Sequence, residues 1–98
     1  HPGCMVATVT YQERMFDSDV KQMNVDYLRR MRDRLARWLA EIVEKYPPRI
    51  PVDVEELADH LNVVVEGAII QSKALRDESL MGKQTRLYRN HIKLLFGA

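Results

Sequence analysis

The sequence predicts an all-α protein, a single domain over residues 1–98 built as a bundle of about four helices. Three observations predict this class. Apolar residues recur at spacings of three and four over long stretches, which is the pattern of the buried face of a helix. Proline and other turn-forming residues are few and divide the chain into long segments. The one candidate hairpin, at Glu66-Gly67, lacks the residues that two-residue hairpin turns favour.

The clearest predicted helix covers residues 20–46. One arc of it carries Leu28, Met31, Leu35, Trp38, Leu39 and Ile42. The opposite arc carries Arg29, Arg30, Arg34 and Arg37. We interpret the arginines as a solvated face rather than a nucleic-acid contact, because no recognition element accompanies them. The helix ends at Tyr46, because the two prolines that follow lack the amide hydrogen of the helical ladder.

The stretch LNVVVEGAII is consistent with two short strands or with part of one helix. Asp53 opens a capping-box pattern, which is typical of a helix start. Helical spacing of apolar residues then runs from Leu57 past Gly67 to Leu75 without a phase break. We therefore predict one helix over residues 53–75.

This predicted helix has a second apolar face. That face carries Val63, Gly67, Ile70 and Ala74, with His60 and Gln71 beside them. A helix that is apolar on two sides must be covered on two sides. Glycine inside a helix costs about 1 kcal/mol relative to alanine. Close approach of another helix is the simplest feature that would offset this cost.

Two further helices are predicted at the ends of the chain. Residues 79–96 carry a broad apolar face, and Gly97 is a candidate C-terminal cap. Residues 4–17 combine β-branched residues with a weak helical stripe. We predict a helix there as well, because no second strand is present to pair with a strand.

Composition limits the possible functions. The net charge is +1, and neither half of the chain is strongly basic, which argues against direct nucleic-acid binding. Cys4 is the only cysteine, which excludes an intrachain disulfide and favours a reducing, cytoplasmic location. No apolar run approaches the ~20 residues that span a bilayer, and no signal peptide is recognisable. We expect no membrane partner.

The sequence contains no recognised catalytic or nucleotide-binding motif, so we expect no enzyme and no cofactor. His60 and His91, with Glu66, are candidate metal ligands, but no pair has the spacing of a metal site, and polar residues in a packed interface are preferred. A metal-dependent helical enzyme would need Glu-x-x-His, which is missing. Cys4 is interpreted as a small buried thiol rather than a redox sensor.

The chain resembles the C-terminal half of TetR/AcrR-family transcriptional repressors. The resemblance covers nearly the whole sequence, from HPGCMVATVTYQERMFDSDV through the basic-faced helix to YPPRIPVDVEELADHLNVVVEGAIIQSKALRDESLMGKQTRLYRNHIKLLF. Its most telling parts are the Gly-Cys-apolar-apolar-Ala entry at residues 3–7, the ADHLNVVVEGAIIQSKAL helix and the terminal LLF. These are soft helical signatures rather than catalytic motifs.

The resemblance implies a regulatory domain that binds a small effector and forms a homodimer. In that family an N-terminal helix-turn-helix domain binds operator DNA, and effector binding relieves repression. No such domain is contained in this sequence, which also opens without an initiator Met. We therefore expect a piece of a longer protein, in which DNA is contacted only through the missing domain.

The resemblance also implies a dimer interface in which the last two helices of each subunit form a four-helix bundle. The implied interface residues are His60, Val63, Gly67, Ile70, Gln71, Ala74, Leu80, Gln84, Leu87, Tyr88, His91 and Leu95. The second apolar face of helix 53–75 and its glycine would then be covered by another subunit.

The implied effector pocket lies within each subunit. Its candidate lining is Val9, Tyr11, Met23, Tyr27, Met31, Trp38, Leu61 and Val65. Methionine and aromatic side chains suit an adaptable pocket for an apolar or aromatic molecule, although each of them also fits plain core packing. The alternative function is a helical oligomerisation module that binds no small molecule.

Overall fold

The computed structural model describes residues 5–12 and 15–97. Within these ranges the chain forms four α-helices and no strand, so the all-α prediction is confirmed. The helices are α1 (Met5–Tyr11), α2 (Ser18–Lys45), α3 (Val54–Leu75) and α4 (Leu80–Phe96). Cys4 and the start of the predicted first helix lie outside the described residues.

The first helix is shorter than predicted. α1 ends at Tyr11, and the predicted extension to residue 17 is wrong. Asp17 instead begins α2, because its side chain accepts a hydrogen bond from the Val20 amide at 2.9 Å. A residue with this capping role has extended backbone angles and therefore interrupts a helix that arrives from the N-terminal side.

α3 is one continuous helix through Gly67, as predicted. Asp53 caps it, accepting hydrogen bonds from the amides of Glu55 at 2.9 Å and Glu56 at 3.3 Å. The cap satisfies two amides that have no partner inside the helix. Asp53 is therefore the capping residue, as its capping-box pattern predicted. The helix itself begins one residue later than predicted, at Val54.

Removing this cap is expected to destabilise the fold. Asp53→Ala should lower the free energy of unfolding by about 1 kcal/mol, because two helix amides lose their acceptor. Thermal unfolding followed by circular dichroism should show a melting temperature lower by about 4–8 °C. Asp53→Ser keeps an oxygen acceptor and should restore most of the loss; a melting temperature equal to that of Asp53→Ala would contradict the capping role.

Two left-handed residues end the last two helices. Gly97 ends α4 with a φ of 70°, as predicted for a C-terminal glycine cap. Arg76 ends α3 with a φ of 53°, a conformation that residues with a Cβ rarely adopt. Asp77 then accepts hydrogen bonds from the amide and the hydroxyl of Ser79, and α4 begins at the next residue. These bonds hold the pKa of Asp77 below its usual value.

The core is small and lies where the C-terminal half of α2, the start of α3 and the end of α4 meet. Its buried side chains are Ala36, Leu39, Leu57 and Ala58. Partly buried residues from all three helices and from the linker pack around them: Leu35, Ile42, Val52, Val54, Ile92 and Leu95. The proline-rich linker is tied to α4 by a hydrogen bond from the Arg49 amide to the Leu95 carbonyl at 2.7 Å.

Consecutive helices pack side by side, α1 on α2, α2 on α3 and α3 on α4. The body is flat, with extents of 45 × 32 × 16 Å. Its radius of gyration is 15.6 Å, whereas about 12.6 Å is expected for a compact domain of this length. A flat body leaves apolar side chains uncovered. Among the described residues, no helix combines the length and apolar character needed to cross a bilayer.

Candidate functional site

The candidate site is the helical hairpin of α3 and α4. A short turn, residues 76–79, joins the two helices. At the far end of the hairpin the Tyr88 hydroxyl donates to the Leu57 carbonyl at 2.7 Å. The helices therefore run antiparallel and stay in contact along most of α4, which fixes the relative position of the residues on their outer faces.

The outer face of this hairpin carries exposed apolar side chains. Val63 is 68% exposed, Ile70 39% and Leu87 60%. A groove of about 240 Å³ runs between the helices. Its lining is Val63, Val64, Gly67, Ala68, Gln71, Leu80 and Gln84. Five of these seven were assigned to the dimer interface from the sequence. We call this surface the α3–α4 face.

Gly67 lies in the middle of the α3–α4 face with open space in front of it. A Cβ built on Gly67 would meet no other atom within 4 Å. Contacts within the described chain therefore give no reason for a glycine at this position. Within the described residues, no helix makes the predicted close approach at Gly67.

Three aromatic rings occupy the end of the α3–α4 face near the start of α3. The rings of His60 and Tyr88 are 5.5 Å apart and nearly perpendicular, and those of His60 and His91 are 6.0 Å apart. Both histidines are exposed. Across residues 5–12 and 15–97, no three His, Cys, Asp or Glu side chains come together in a way that would hold a metal ion.

Tyr88 makes the stability of the hairpin sensitive to alkaline pH. Burial raises the pKa of Tyr88 above its usual value of 10.0. The folded protein therefore keeps the phenol proton more strongly than the unfolded chain does. The free energy of unfolding should be unaffected by this group below pH 10 and should fall as the pH rises above it.

Urea unfolding between pH 8 and 11 measures this effect. Tyr88→Phe should remove part of the alkaline loss, because the group that must ionise is no longer present. Tyr46→Phe, which removes an exposed phenol, should keep the wild-type profile. Identical alkaline profiles for Tyr88→Phe and the wild type would contradict the assignment.

Not every predicted interface residue is fully exposed on the α3–α4 face. Leu95 packs against the buried cluster of α2 and α3. Tyr88 is partly buried against α3. Leu94, which was not predicted as an interface residue, is 68% exposed and lies two helical turns beyond Leu87. The periodicity of α4 identified its apolar face correctly. It did not show which residues of that face pack against α3 and which are exposed to solvent.

The eight predicted pocket residues differ in their exposure. Val9 is buried in α1, which packs on α2. Leu61 and Val65 are partly buried on α3. Tyr27 and Met31 line a surface depression of about 630 Å³ along α2, together with Arg30, Asp33, Arg34 and Arg37. The other three predicted residues are exposed: Tyr11 75%, Met23 68% and Trp38 56%.

Sequence reasoning did not identify a further cavity at the turn of the hairpin. Its volume is about 620 Å³, and its lining is Ile69, Ser72, Lys73, Arg76, Glu78 and Met81. The sequence carried no signal for it, because the identity of Arg76 does not show that this residue takes a left-handed conformation.

Comparisons with known proteins leave this geometry as the only guide to function. No family model, no curated protein and no solved structure matches the chain. The resemblance to TetR-like repressors therefore stays a prediction from the sequence.

Proposed function

We propose that this chain is the effector-sensing and dimerisation part of a TetR-like transcriptional repressor. The single observation that carries the proposal is the α3–α4 face, an apolar surface with Gly67 at its centre and no cover within the described chain. A second copy, placed by a two-fold axis, would cover this face with the same face, so that each glycine admits the other helix.

The amount of exposed surface supports self-association. The chain exposes 7617 Å², whereas a folded monomer of this mass exposes about 5,800 Å². The excess of about 1,800 Å² is of the size that a stable interface removes from one partner in an obligate dimer. Burying apolar surface of this kind is favourable by roughly 25 cal/mol per Å².

The polar groups on the α3–α4 face suit the rim of such an interface. Gln71 and Gln84 carry neutral amides there, and His60 and His91 carry imidazole rings. Neutral hydrogen-bonding groups give an interface its register at a smaller desolvation cost than charged groups. An ion pair between Arg32 and Asp59, at 3.8 Å, joins α3 to α2.

Effector sensing is proposed for the side of the molecule formed by α1, α2 and the inner face of α3. Met23, Tyr27 and Trp38 expose apolar and aromatic surface there. A small apolar or aromatic molecule bound against them would favour one arrangement of the subunits over another. Its effect on operator binding by a helix-turn-helix domain would equal its difference in affinity between the two arrangements.

Paired charge substitutions test the dimerisation part. Val63→Glu places a carboxylate on the α3–α4 face and should convert a dimer into a monomer. Met23→Glu is matched, because both side chains are 68% exposed, but it lies on α2 and should leave the dimer intact. Light scattering coupled to size exclusion gives both masses. A dimer in Val63→Glu would overturn the proposal.

The alternative function is an oligomerisation module without a small-molecule ligand. The observation that favours it is the exposure of Tyr11, Met23 and Trp38, which do not enclose a site. A thermal-shift screen with apolar and aromatic molecules separates the two functions. Stabilisation that Met23→Glu or Trp38→Ala removes supports effector sensing. A dimer that no compound stabilises supports the module.

A further inference from the structure

The cavity at the turn of the hairpin lies apart from the α3–α4 face. Ser72 follows Gly67 by five residues, which places the two about 140° apart around α3. Neither the predicted effector pocket nor the predicted interface shares a residue with this cavity. Its volume of about 620 Å³ is within the range of sites that bind small organic molecules, roughly 300–1,000 Å³.

A hydroxyl group on the cavity lining lacks a partner. Ser72 Oγ is shielded from solvent and has no hydrogen-bond partner in the described part of the chain. Two threonine hydroxyls in other helices behave differently. Thr10 Oγ1 donates to the Val6 carbonyl at 2.9 Å, and Thr85 Oγ1 donates to the Met81 carbonyl at 2.9 Å. A shielded hydroxyl without a partner is uncommon, and a turn of the Ser72 side chain towards the cavity would let a ligand atom supply one.

The charge of the cavity comes from the end of α3. Lys73 and Arg76 line it together with one carboxylate, Glu78. Arg76 holds a left-handed backbone conformation, with a φ of 53°, where glycine is the favoured residue. The end of α4 uses Gly97 in the same conformation. At the end of α3 the chain therefore carries a guanidinium group at the cavity in spite of the backbone strain.

We propose that this cavity binds an amphipathic organic anion, a carboxylate that carries a short apolar tail. The Arg76 guanidinium binds the carboxylate, because its planar group matches the two oxygens, and the Lys73 ammonium adds positive charge at the same end of α3. Ser72 Oγ, once turned towards the cavity, donates a hydrogen bond to the same group. The tail contacts Ile69 and Met81. Glu78 opposes the anion and limits its affinity. The site goes beyond the proposed function, because it requires neither the dimer nor the predicted effector pocket.

The test uses the full chain, labelled with ¹⁵N, and two probes that differ only in charge, octanoate and 1-octanol. Octanoate should shift the amide resonances of Ser72, Arg76 and Met81 in a saturable way, and 1-octanol should bind about tenfold more weakly. Arg76→Gln should weaken octanoate binding about tenfold. Arg89→Gln removes an exposed arginine of α4 outside the cavity lining and should bind like the wild type.

Two further variants test the predicted direction of the changes in octanoate affinity and in melting temperature. Glu78→Gln should strengthen octanoate binding about two- to threefold, because it removes the opposing charge. Arg76→Gly should raise the melting temperature, because glycine relieves the left-handed strain, and should still lose binding. Equal affinities for octanoate and 1-octanol, equal effects of Arg76→Gln and Arg89→Gln, or shifts confined to residues outside the cavity would each overturn the proposal. The mass of the protein in solution is a separate readout, so failure here and failure of the proposed function are distinguishable.

Discussion

Gly67→Leu is expected to dissociate the proposed dimer. In the two-fold arrangement each Gly67 faces the partner's α3, so a leucine on both copies forces the helix backbones apart. Overpacking a close contact costs about 1–3 kcal/mol per site, and symmetry applies the cost twice. The dissociation constant should therefore rise about a hundredfold or more. Light scattering over a dilution series measures the change.

Gly67→Leu should stabilise the isolated subunit although it destabilises the dimer. This difference distinguishes a change at the interface from a change in the fold. A Cβ at Gly67 meets no neighbour within 4 Å. Leucine is also a better helix former than glycine, by up to about 1 kcal/mol. The monomer should therefore be as stable as the wild-type monomer or more stable. Loss of the dimer without loss of helix content would show that the α3–α4 face, and not the fold, is affected.

Gly82→Leu is the matched control. Gly82 is also a helical glycine with open space around it. It follows Leu80 by two residues, which places it about 160° away from Leu80 around α4. Gly82→Leu should raise helix stability like Gly67→Leu and leave the dimer intact. Equal dissociation in both variants, or in neither, would contradict the assignment of the interface.

Leu39→Ala is expected to have the largest effect on stability. Leu39 is buried between α2 and α3 in a cluster that has only three other buried members. Truncating a buried leucine costs about 2–5 kcal/mol, and a domain of this size is stable by only about 5–15 kcal/mol. Urea unfolding of the variant should therefore begin at a much lower concentration, and native helix content should be partly lost at 37 °C.

Leu94→Ala is the control for Leu39→Ala, because it removes a leucine that lies outside the core. Leu94 is 68% exposed on α4, so its truncation should change the free energy of unfolding by no more than about 0.5 kcal/mol. Circular dichroism at low protein concentration, where dimerisation contributes little, measures both variants. Similar losses in Leu39→Ala and Leu94→Ala would mean that the cluster of α2 and α3 is not the core.

The continuous helix through Gly67 was predictable because helical phase is a local property of the sequence. Apolar spacing on both sides of the glycine stayed in register, and glycine weakens a helix without ending it. The cap at Asp53 was predictable for the same reason, since a capping side chain contacts amides only two and three residues away.

The sequence did not allow us to predict which residues of each apolar arc are buried and which are exposed. Trp38 shares an arc with Leu39 in the sequence, yet it lies about 100° from it around α2. α3 covers the side that carries Ala36 and Leu39 and leaves Trp38 exposed. A helix sequence shows which arc is apolar, but the neighbouring helix decides which part of it is buried. Trp38, one of the predicted pocket residues, is exposed for this reason.

The cavity at the turn was missed because its key feature is conformational. The sequence offered no glycine after Leu75, and a left-handed arginine is not the residue that a helix end normally selects. The missing partner of Ser72 Oγ also depends on three-dimensional packing. Both features become visible only when the turn between α3 and α4 has a structure.

Sedimentation equilibrium of the unmodified chain, over a range of concentrations, tests the central claim most directly. The α3–α4 face predicts a reversible dimer with twice the chain mass of 11.5 kDa, which gives way to monomer only on dilution. A single species of 11.5 kDa up to the highest concentration reached would contradict the account, because the apolar face around Gly67 would then remain in water without a second copy to cover it.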